Sequence, residues 1–133
     1  MDLEEKGQKY NSQFLFDTGF QKALMLDNDL LKKAKFPVTE LEVIKTTILY
    51  NSNNDEIPLK TVKIKNLKFR KILLKNVPAE LNNYNKPAGY ETNFLGSDVL
   101  KRFNIILDFQ KKIVYLKPNK YFNENYFDDK KKL

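Results

Sequence analysis

The chain offers few side chains for acid–base or nucleophilic chemistry. It has no cysteine and no histidine, which excludes thiolate nucleophiles, histidine-dependent triads and zinc sites built on those residues. Carboxylates, lysines and tyrosines remain as candidate proton donors and acceptors. No spacing of Asp and Glu indicates a metal site, and neither a metal nor a cofactor is expected.

One carboxylate stands in a pattern that favours catalysis. Asp17-Thr18-Gly19 directly follows the apolar run Phe14-Leu15-Phe16, which predicts a buried strand that ends in a loop carrying the Asp side chain. The tripeptide alone also fits an ordinary turn, in which the Asp hydrogen-bonds the backbone and the glycine adopts positive φ. The surrounding elements therefore have to decide between the two interpretations.

Short strands and two short helices are predicted around this tripeptide. Alternating apolar residues and runs of Val, Ile and Thr predict strands over 13–16, 22–26, 41–50, 57–65, 69–77, 105–109 and 112–116. Polar turns are predicted at 51–55 and 66–68. Helices are predicted over 29–33 and 97–103, the second with Ser97 as its N-cap. The sum is an all-β closed barrel or sandwich of short strands.

The length of 133 residues suits one domain. We assign the domain to residues 1–118 and expect residues 119–133, which are polar and rich in Asn and Lys, to form a loosely held tail. The polar, acidic start of the chain is no signal peptide, and no stretch approaches the length of a membrane span. The compartment stays open, and a periplasmic or secreted location is expected only if the chain begins upstream of Met1.

The net charge of +7, from 24 Lys and Arg against 17 Asp and Glu, could attract anionic partners. The lysines are spread along the chain and mostly alternate with apolar residues, as on solvated strand faces. No basic and aromatic module of a nucleic-acid-binding domain is present. Nucleic acid is therefore not an expected partner, although a basic nucleic-acid-binding barrel remains one open hypothesis for the function.

Two segments resemble the retropepsin-like aspartic peptidases, and bacterial single-domain members in particular. The first is the apolar strand that leads into Asp17-Thr18-Gly19. The second is Phe94-Leu95-Gly96 with the helix and strands that follow, through residue 118. The order of Asp-Thr-Gly, flap hairpin, apolar-Leu-Gly, short helix and closing strands covers residues 14 to 118. The resemblance implies an all-β, retropepsin-like closed barrel or sandwich.

The same resemblance implies an aspartic endopeptidase in which two aspartates share one proton and hold a water. The chain has one Asp-Thr-Gly, so the implied enzyme is a homodimer with Asp17 from each subunit, acting on a peptide or an unfolded protein. Thr18 would hydrogen-bond across the dimer, Gly19 would allow a tight turn, and Gly96 would pack against the active-site loop.

The turn after the third predicted strand would be the flap that closes over a bound peptide, and a plain exposed hairpin is the alternative. The flap candidates are Asn51, Ser52, Asn53, Asn54 and Asp55. Retropepsin flaps usually carry glycines at the tip, and this one has none, so a different closing geometry is expected.

Two departures from the family pattern leave a second function open. Phe20 follows Asp-Thr-Gly, where the family usually has Ala or Ser, and it would either narrow the site or fill a core position. The strand that usually precedes the motif is short and polar in this chain. The alternative function is therefore a catalytically inactive retropepsin-like domain that binds a peptide or protein partner.

Overall fold

A computed structural model describes residues 1–82 and 92–126 of the chain. The strands are β1 (Asp2–Glu5), β2 (Gln8–Asn11), β3 (Phe14–Phe16), β4 (Leu24–Asp27), β5 (Val43–Tyr50), β6 (Glu56–Phe69), β7 (Ile72–Asn82), β8 (Asn93–Leu95), β9 (Phe103–Asp108) and β10 (Ile113–Pro118). The helices are α1 (Asn28–Lys33), a 3-10 turn at Val38–Glu40, and α2 (Ser97–Leu100). The prediction of an all-β fold with two short helices is confirmed.

Eight strands form one sheet in the order β2-β1-β6-β7-β4-β8-β3, with β5 pairing to β6 beside this path. Two of the pairings, β3 with β8 and β4 with β7, are parallel. β9 and β10 form a separate antiparallel pair. The strand that delivers Asp17 therefore lies directly beside the strand that delivers Gly96.

The core is an apolar cluster drawn from the main sheet, both helices and the start of β9. Its largest members are Leu3, Leu24, Leu26, Leu31, Phe36, Ile64, Leu67, Leu74, Leu81, Leu95, Leu100 and Phe103. Burial of these aliphatic and aromatic side chains is the main favourable contribution to folding. The cluster reaches β4 and β8, so the strands that flank the Asp17 loop are anchored in the core.

The turn between β6 and β7 lies at residues 70–71, so the predicted turn at 66–68 is wrong. Leu67 is fully buried within β6 instead. Asn76, on the opposing strand, adopts a φ of 53° and interrupts the ladder at that point. The buried positions of β6 consequently change phase between Ile64 and Leu67, which removes the regular alternation that a strand prediction relies on.

The first twelve residues form a β-hairpin, whereas the sequence predicted only a short polar strand before the motif. Lys6 and Gly7 have φ values of 49° and 76°, as a two-residue turn with positive φ at both central positions requires. β1 also pairs with β6, and Leu3 is only 1% exposed. The start of the chain is thus part of the main sheet and contributes to the core.

The second helix is shorter than predicted, because α2 ends at Leu100 and β9 begins at Phe103. Gly96 occupies the N-cap position with extended backbone, and no side chain caps the helix. The prediction that Ser97 is the N-cap is therefore wrong. Ser97 is the first residue of the helix itself.

Of the tail expected at residues 119–133, residues 119–126 pack against the domain and are not loosely held, whereas residues 127–133 lie outside the described residues. The ring of Phe122 meets that of Phe103 edge-on at a centroid distance of 5.6 Å. The guanidinium of Arg102 lies 3.7 Å from the centre of the Tyr126 ring. The division of the chain at residue 118 stays a prediction.

The environment of Tyr126 predicts how stability depends on alkaline pH. Burial raises the pKa of Tyr126 to about 12, an effect that the charge of Arg102 opposes and that of Asp98 reinforces. The unfolded chain releases this proton near pH 10, the ordinary value. Stability from the neutral phenol is therefore complete below pH 10 and is lost as the pH rises towards 12.

We expect Tyr126→Phe to unfold like the wild type at neutral pH, because the buried hydroxyl has no hydrogen-bond partner within the described residues. Near pH 12 the variant should be the more stable protein by roughly 2 kcal/mol. Urea unfolding of both proteins at pH 7, 10 and 11.5 measures the difference. Identical pH dependence in the two proteins would contradict the assignment.

Candidate active site

Asp17 follows the last residue of β3, and its carboxylate is held in one orientation. Its backbone N–H donates to the carbonyl of Leu95 at 3.0 Å, which extends the pairing of β3 with β8. Its Oδ1 accepts a hydrogen bond from the N–H of Gly19 at 2.9 Å. Within the described residues, Oδ2 makes no hydrogen bond. The side chain is half-buried, so this oxygen is available to a water or to a second acid.

Backbone hydrogen bonds connect the loop after Asp17 to the start of α2. The N–H of Ser97 donates to the carbonyl of Phe20 at 2.8 Å, and that of Asp98 donates to Lys22 at 3.3 Å. The N–H of Gly96 donates to the carbonyl of Ala23 at 2.8 Å. Because these bonds use main-chain groups, the loop geometry depends on how closely the two backbones approach.

Gly96 makes that approach possible. A Cβ atom at this position would lie 2.0 Å from the carbonyl oxygen of Lys22 and 2.7 Å from that of Phe20. The φ of Gly96 is −92°, an ordinary value for any residue. Glycine is therefore required here for space and not for conformational freedom, since any side chain would push α2 away from the Asp17 loop.

Gly19 lies close to the carboxylate of Asp17. Its φ is not in the left-handed region, so the turn with positive φ at this glycine is not what the chain forms. A Cβ at Gly19 would lie 3.3 Å from Oδ1 of Asp17. The absent side chain keeps the space beside the carboxylate open.

The side chains of Thr18 and Phe20 differ in their exposure. Thr18 is exposed, whereas Phe20 is half-buried. Cδ1 of Phe20 lies 2.6 Å from the position that a Cβ of Gly96 would take, so its ring rests against Gly96. Phe20 thus fills space between the loop and the N-terminus of α2.

The flap candidates form the tip of the β5–β6 hairpin, and the side chain of Asn51 organises them. Its Oδ1 accepts from the N–H groups of Asn53 and Asp55 at 2.9 and 3.0 Å, and its Nδ2 donates to Oδ2 of Asp55 at 2.9 Å. Asn54 has a φ of 62°, the conformation that glycine usually provides. Among the described residues, no hydrogen bond or ion pair joins this tip to the Asp17 loop.

The base of the same hairpin is irregular. The register of β5 against β6 shifts between Val43 and Lys45, which marks a β-bulge at Ile44. β5 is largely exposed along its length. The hairpin therefore projects from the main sheet with an ordered tip and an irregular base.

Asn93 is a buried organising residue that sequence reasoning did not assign. It is fully buried, and its Oδ1 accepts from the N–H of Asp27 at 2.8 Å. Its Nδ2 donates to Oγ of Ser12 at 2.6 Å and to the carbonyl of Gln13 at 3.2 Å. One side chain thus joins β8 to the end of β4 and to the residues before β3. A polar residue next to an apolar-Leu-Gly run is the only sequence signal for it.

An ion pair between Lys22 and Glu80 was also not foreseen. Glu80 is 5% exposed on β7, and Nζ of Lys22 contacts its Oε1. A buried carboxylate needs such a partner to offset its desolvation. The pair connects the end of the Asp17 loop to the main sheet. Lys22 and Glu80 are too far apart in the sequence for a local pattern to predict their contact.

The described part of the chain holds no group of three or more Asp, Glu, His or Cys side chains that could share a metal ion. None of the helices in those residues is long and apolar enough to cross a membrane. The groups presented by the Asp17 loop are a carboxylate, a hydroxyl and backbone amides. Such groups suit proton transfer to and from water.

Gly96→Ala should destabilise the protein by about 3 kcal/mol, because the added methyl cannot be accommodated between two backbone carbonyls. Gly7→Ala is the matched control. Gly7 has positive φ but open space around its Cβ position, so it should lose only about 1 kcal/mol through backbone strain. Urea unfolding compares the two variants. A Gly96→Ala protein as stable as Gly7→Ala would show that α2 moves without cost.

Comparisons with known proteins agree with this geometry. The crystal structure of a retropepsin-like aspartic protease from Rickettsia conorii resembles this chain with a TM-score of 0.53 and 20% sequence identity, over 87% of this chain and 79% of that one. Among curated proteins no significant match was found. A family model described as Aspartyl protease matches residues 2–99, which include both the Asp17 loop and Gly96. The prediction of a retropepsin-like family is thereby confirmed, and the chain belongs to the aspartyl proteases.

Proposed function

We propose that this chain is one subunit of a homodimeric aspartic endopeptidase, with Asp17 as its catalytic carboxylate and peptides or unfolded proteins as its substrates. The observation that carries the proposal is the state of Asp17. One of its oxygens is oriented by the N–H of Gly19, and the other makes no hydrogen bond within the described residues. A carboxylate that is fixed but half-accessible is suited to activating water.

The chemistry requires a second carboxylate close to the first. Two carboxylates about 3 Å apart share a proton, because ionising both is costly. The ionised member accepts a proton from the water as the water attacks the amide carbon. The protonated member donates a hydrogen bond to the carbonyl oxygen and stabilises the developing charge. The chain has a single Asp-Thr-Gly, so Asp17 of a second copy is the simplest source.

The surface around the loop supports assembly with a second copy. Thr18 is exposed beside the carboxylate, and Leu15, on β3 before it, is 53% exposed. In a twofold dimer these residues would meet their own counterparts. The hydroxyl of Thr18 can both donate and accept a hydrogen bond, which a symmetric contact requires.

The β9–β10 hairpin exposes an apolar surface that supports such a dimer. It forms a sheet of its own, which packs against the core through Ile105 and Leu116. Its exposed apolar residues are Ile106, Leu107, Phe109, Ile113, Val114 and Tyr115. Ile106 lies opposite Tyr115, and Leu107 lies opposite Val114. Because opposing residues share a face, both faces of the hairpin are apolar. We assign this surface to the second copy, which also completes the Asp17 site.

The position of Phe20 favours the active enzyme over an inactive peptide-binding relative. An inactive relative would result if this ring stood over the carboxylate. The ring rests against Gly96, between the loop and the N-terminus of α2, and this contact supports the active enzyme. A peptide-binding role without cleavage has no separate observation in its favour.

Asp17→Asn should lower kcat/KM for a peptide substrate by on the order of 10⁴-fold, because the amide cannot accept a proton from water. The substitution keeps the shape of the side chain and an acceptor for the N–H of Gly19, so the fold should be retained. Asp2→Asn makes the same chemical change on β1 and should cleave like the wild type. A fluorogenic peptide library at acidic to neutral pH, with circular dichroism of each variant, measures both. Full activity of Asp17→Asn would reject the proposal.

Ile106→Lys should shift the protein from dimer to monomer, since a buried lysine in a symmetric interface would face its own copy. Ile48→Lys, on the exposed β5 strand, is the matched control and should remain dimeric. Sedimentation equilibrium measures the mass of each variant, and peptide cleavage should fall with the loss of dimer. A wild-type protein that is monomeric and cleaves peptides would contradict the dimeric mechanism.

A further inference from the structure

We propose that Arg102 is a positioning residue through which the segment Asn119–Tyr126 holds α2 in place against the Asp17 loop. The inference rests on the proposed function where it concerns catalysis, because it assigns the geometry of that loop partly to residues that follow the last strand. Its structural part concerns Arg102, α2 and the segment alone.

Arg102 is completely enclosed, with 1% of its surface exposed. Its Nε donates to the carbonyl of Asp98 at 2.9 Å, and its Nη1 donates to the carbonyls of Tyr121, at 3.3 Å, and of Glu124. The guanidinium also lies 3.7 Å from the centre of the Tyr126 ring. The segment therefore supplies two acceptors and an aromatic face to a buried cation.

Within the described residues, the carboxylate that pairs with Arg102 is that of Asp98, and it is shared with Lys101. Nη2 of Arg102 lies 3.9 Å from Oδ1 of Asp98, and the same oxygen is only 2.8 Å from Nζ of Lys101. A buried cation is costly unless hydrogen bonds and aromatic contacts replace its hydration. Most of that replacement comes from the segment, so the arginine and the segment depend on each other.

Arg102 also bonds α2 directly, and the segment contacts the end of the helix through a second residue, Asn119. The bond from Nε to the carbonyl of Asp98 fixes the guanidinium to the first turn of the helix. The side-chain amide of Asn119 donates to the carbonyl of Lys101 at 2.9 Å, just past the helix end. Both contacts resist movement of a helix that has only four residues and little stability of its own.

The helix in turn carries the amides that shape the Asp17 loop. The N–H groups of Ser97 and Asp98 donate to the carbonyls of Phe20 and Lys22. Asp98 thus donates its N–H to the loop, and its carbonyl oxygen accepts a hydrogen bond from Arg102. The path from the segment to the catalytic loop runs through one guanidinium and one short helix.

Lysine could not replace the arginine in this role. Nε and Nη1 bond carbonyls on two different parts of the chain at once, while the guanidinium carbon lies 3.7 Å from the centre of the Tyr126 ring. A lysine ammonium is a single point charge without the planar fork. Arg102→Lys therefore keeps the positive charge and removes the planar arrangement of hydrogen-bond donors.

Amide hydrogen exchange tests the coupling in the full chain without requiring enzymatic activity. The proteins compared are the wild type, Arg102→Lys, Tyr126→Leu and Lys101→Gln. Tyr126→Leu keeps an apolar side chain and removes the aromatic face, and it is the milder variant if Arg102→Lys fails to fold. Lys101→Gln removes the adjacent cation, whose side chain is half-exposed, and is the matched control.

We expect the Ser97 and Asp98 amides to exchange at least about 10-fold faster in Arg102→Lys and Tyr126→Leu, with the Leu67 amide of the main sheet unchanged. Lys101→Gln should exchange like the wild type. If the segment amides of Phe122 and Glu124 lose protection while Ser97 and Asp98 keep theirs, the proposal is overturned. An equal loss at Leu67 overturns it as well, because the role is then one of general stability.

Peptide cleavage separates this inference from the function it rests on. For an active wild type, the two variants should lower kcat by about 10-fold with KM nearly unchanged, because substrate contacts are intact and the carboxylate is displaced. A rise in KM with unchanged kcat would reject a positioning role. If the wild type cleaves nothing, the exchange result still decides whether the segment holds α2.

Discussion

The contact on which the site depends is the meeting of two backbones at Gly96. With no side chain between them, the chain before α2 lies against the carbonyls of Lys22 and Phe20, and three successive amides bond the loop that begins at Asp17. The parallel pairing of β3 with β8 brings the two segments together. The carboxylate is thus positioned chiefly by main-chain hydrogen bonds between the two segments.

Buried polar residues connect this backbone framework to the rest of the domain. Asn93 joins three chain segments, Glu80 holds Lys22, and Arg102 holds the residues beyond β10. Burial of each polar group is unfavourable unless it is fully bonded. Each therefore selects one arrangement of the segments it joins, which an apolar side chain of the same size would not do.

The sequence predicted what local pattern determines. Phe14-Leu15-Phe16 before Asp-Thr-Gly, and the polar turn at 51–55, correspond to β3 and to the β5–β6 turn. What it missed depends on distant partners. Leu3 becomes a core residue only because β1 pairs with β6, and the turn after β6 was misplaced because the buried positions change phase opposite Asn76. The packing of residues 119–126 depends on Arg102, whose partners no periodicity reveals.

The tip of the β5–β6 hairpin is closed by one asparagine side chain, and this has a mechanical consequence. With three hydrogen bonds to Asn51 spanning the turn, the tip has little torsional freedom. The flexibility of the hairpin is then greatest at its base, where the bulge at Ile44 interrupts the pairing of β5 with β6. The hairpin would therefore move as a rigid unit about its base, and its tip would keep one conformation during that movement.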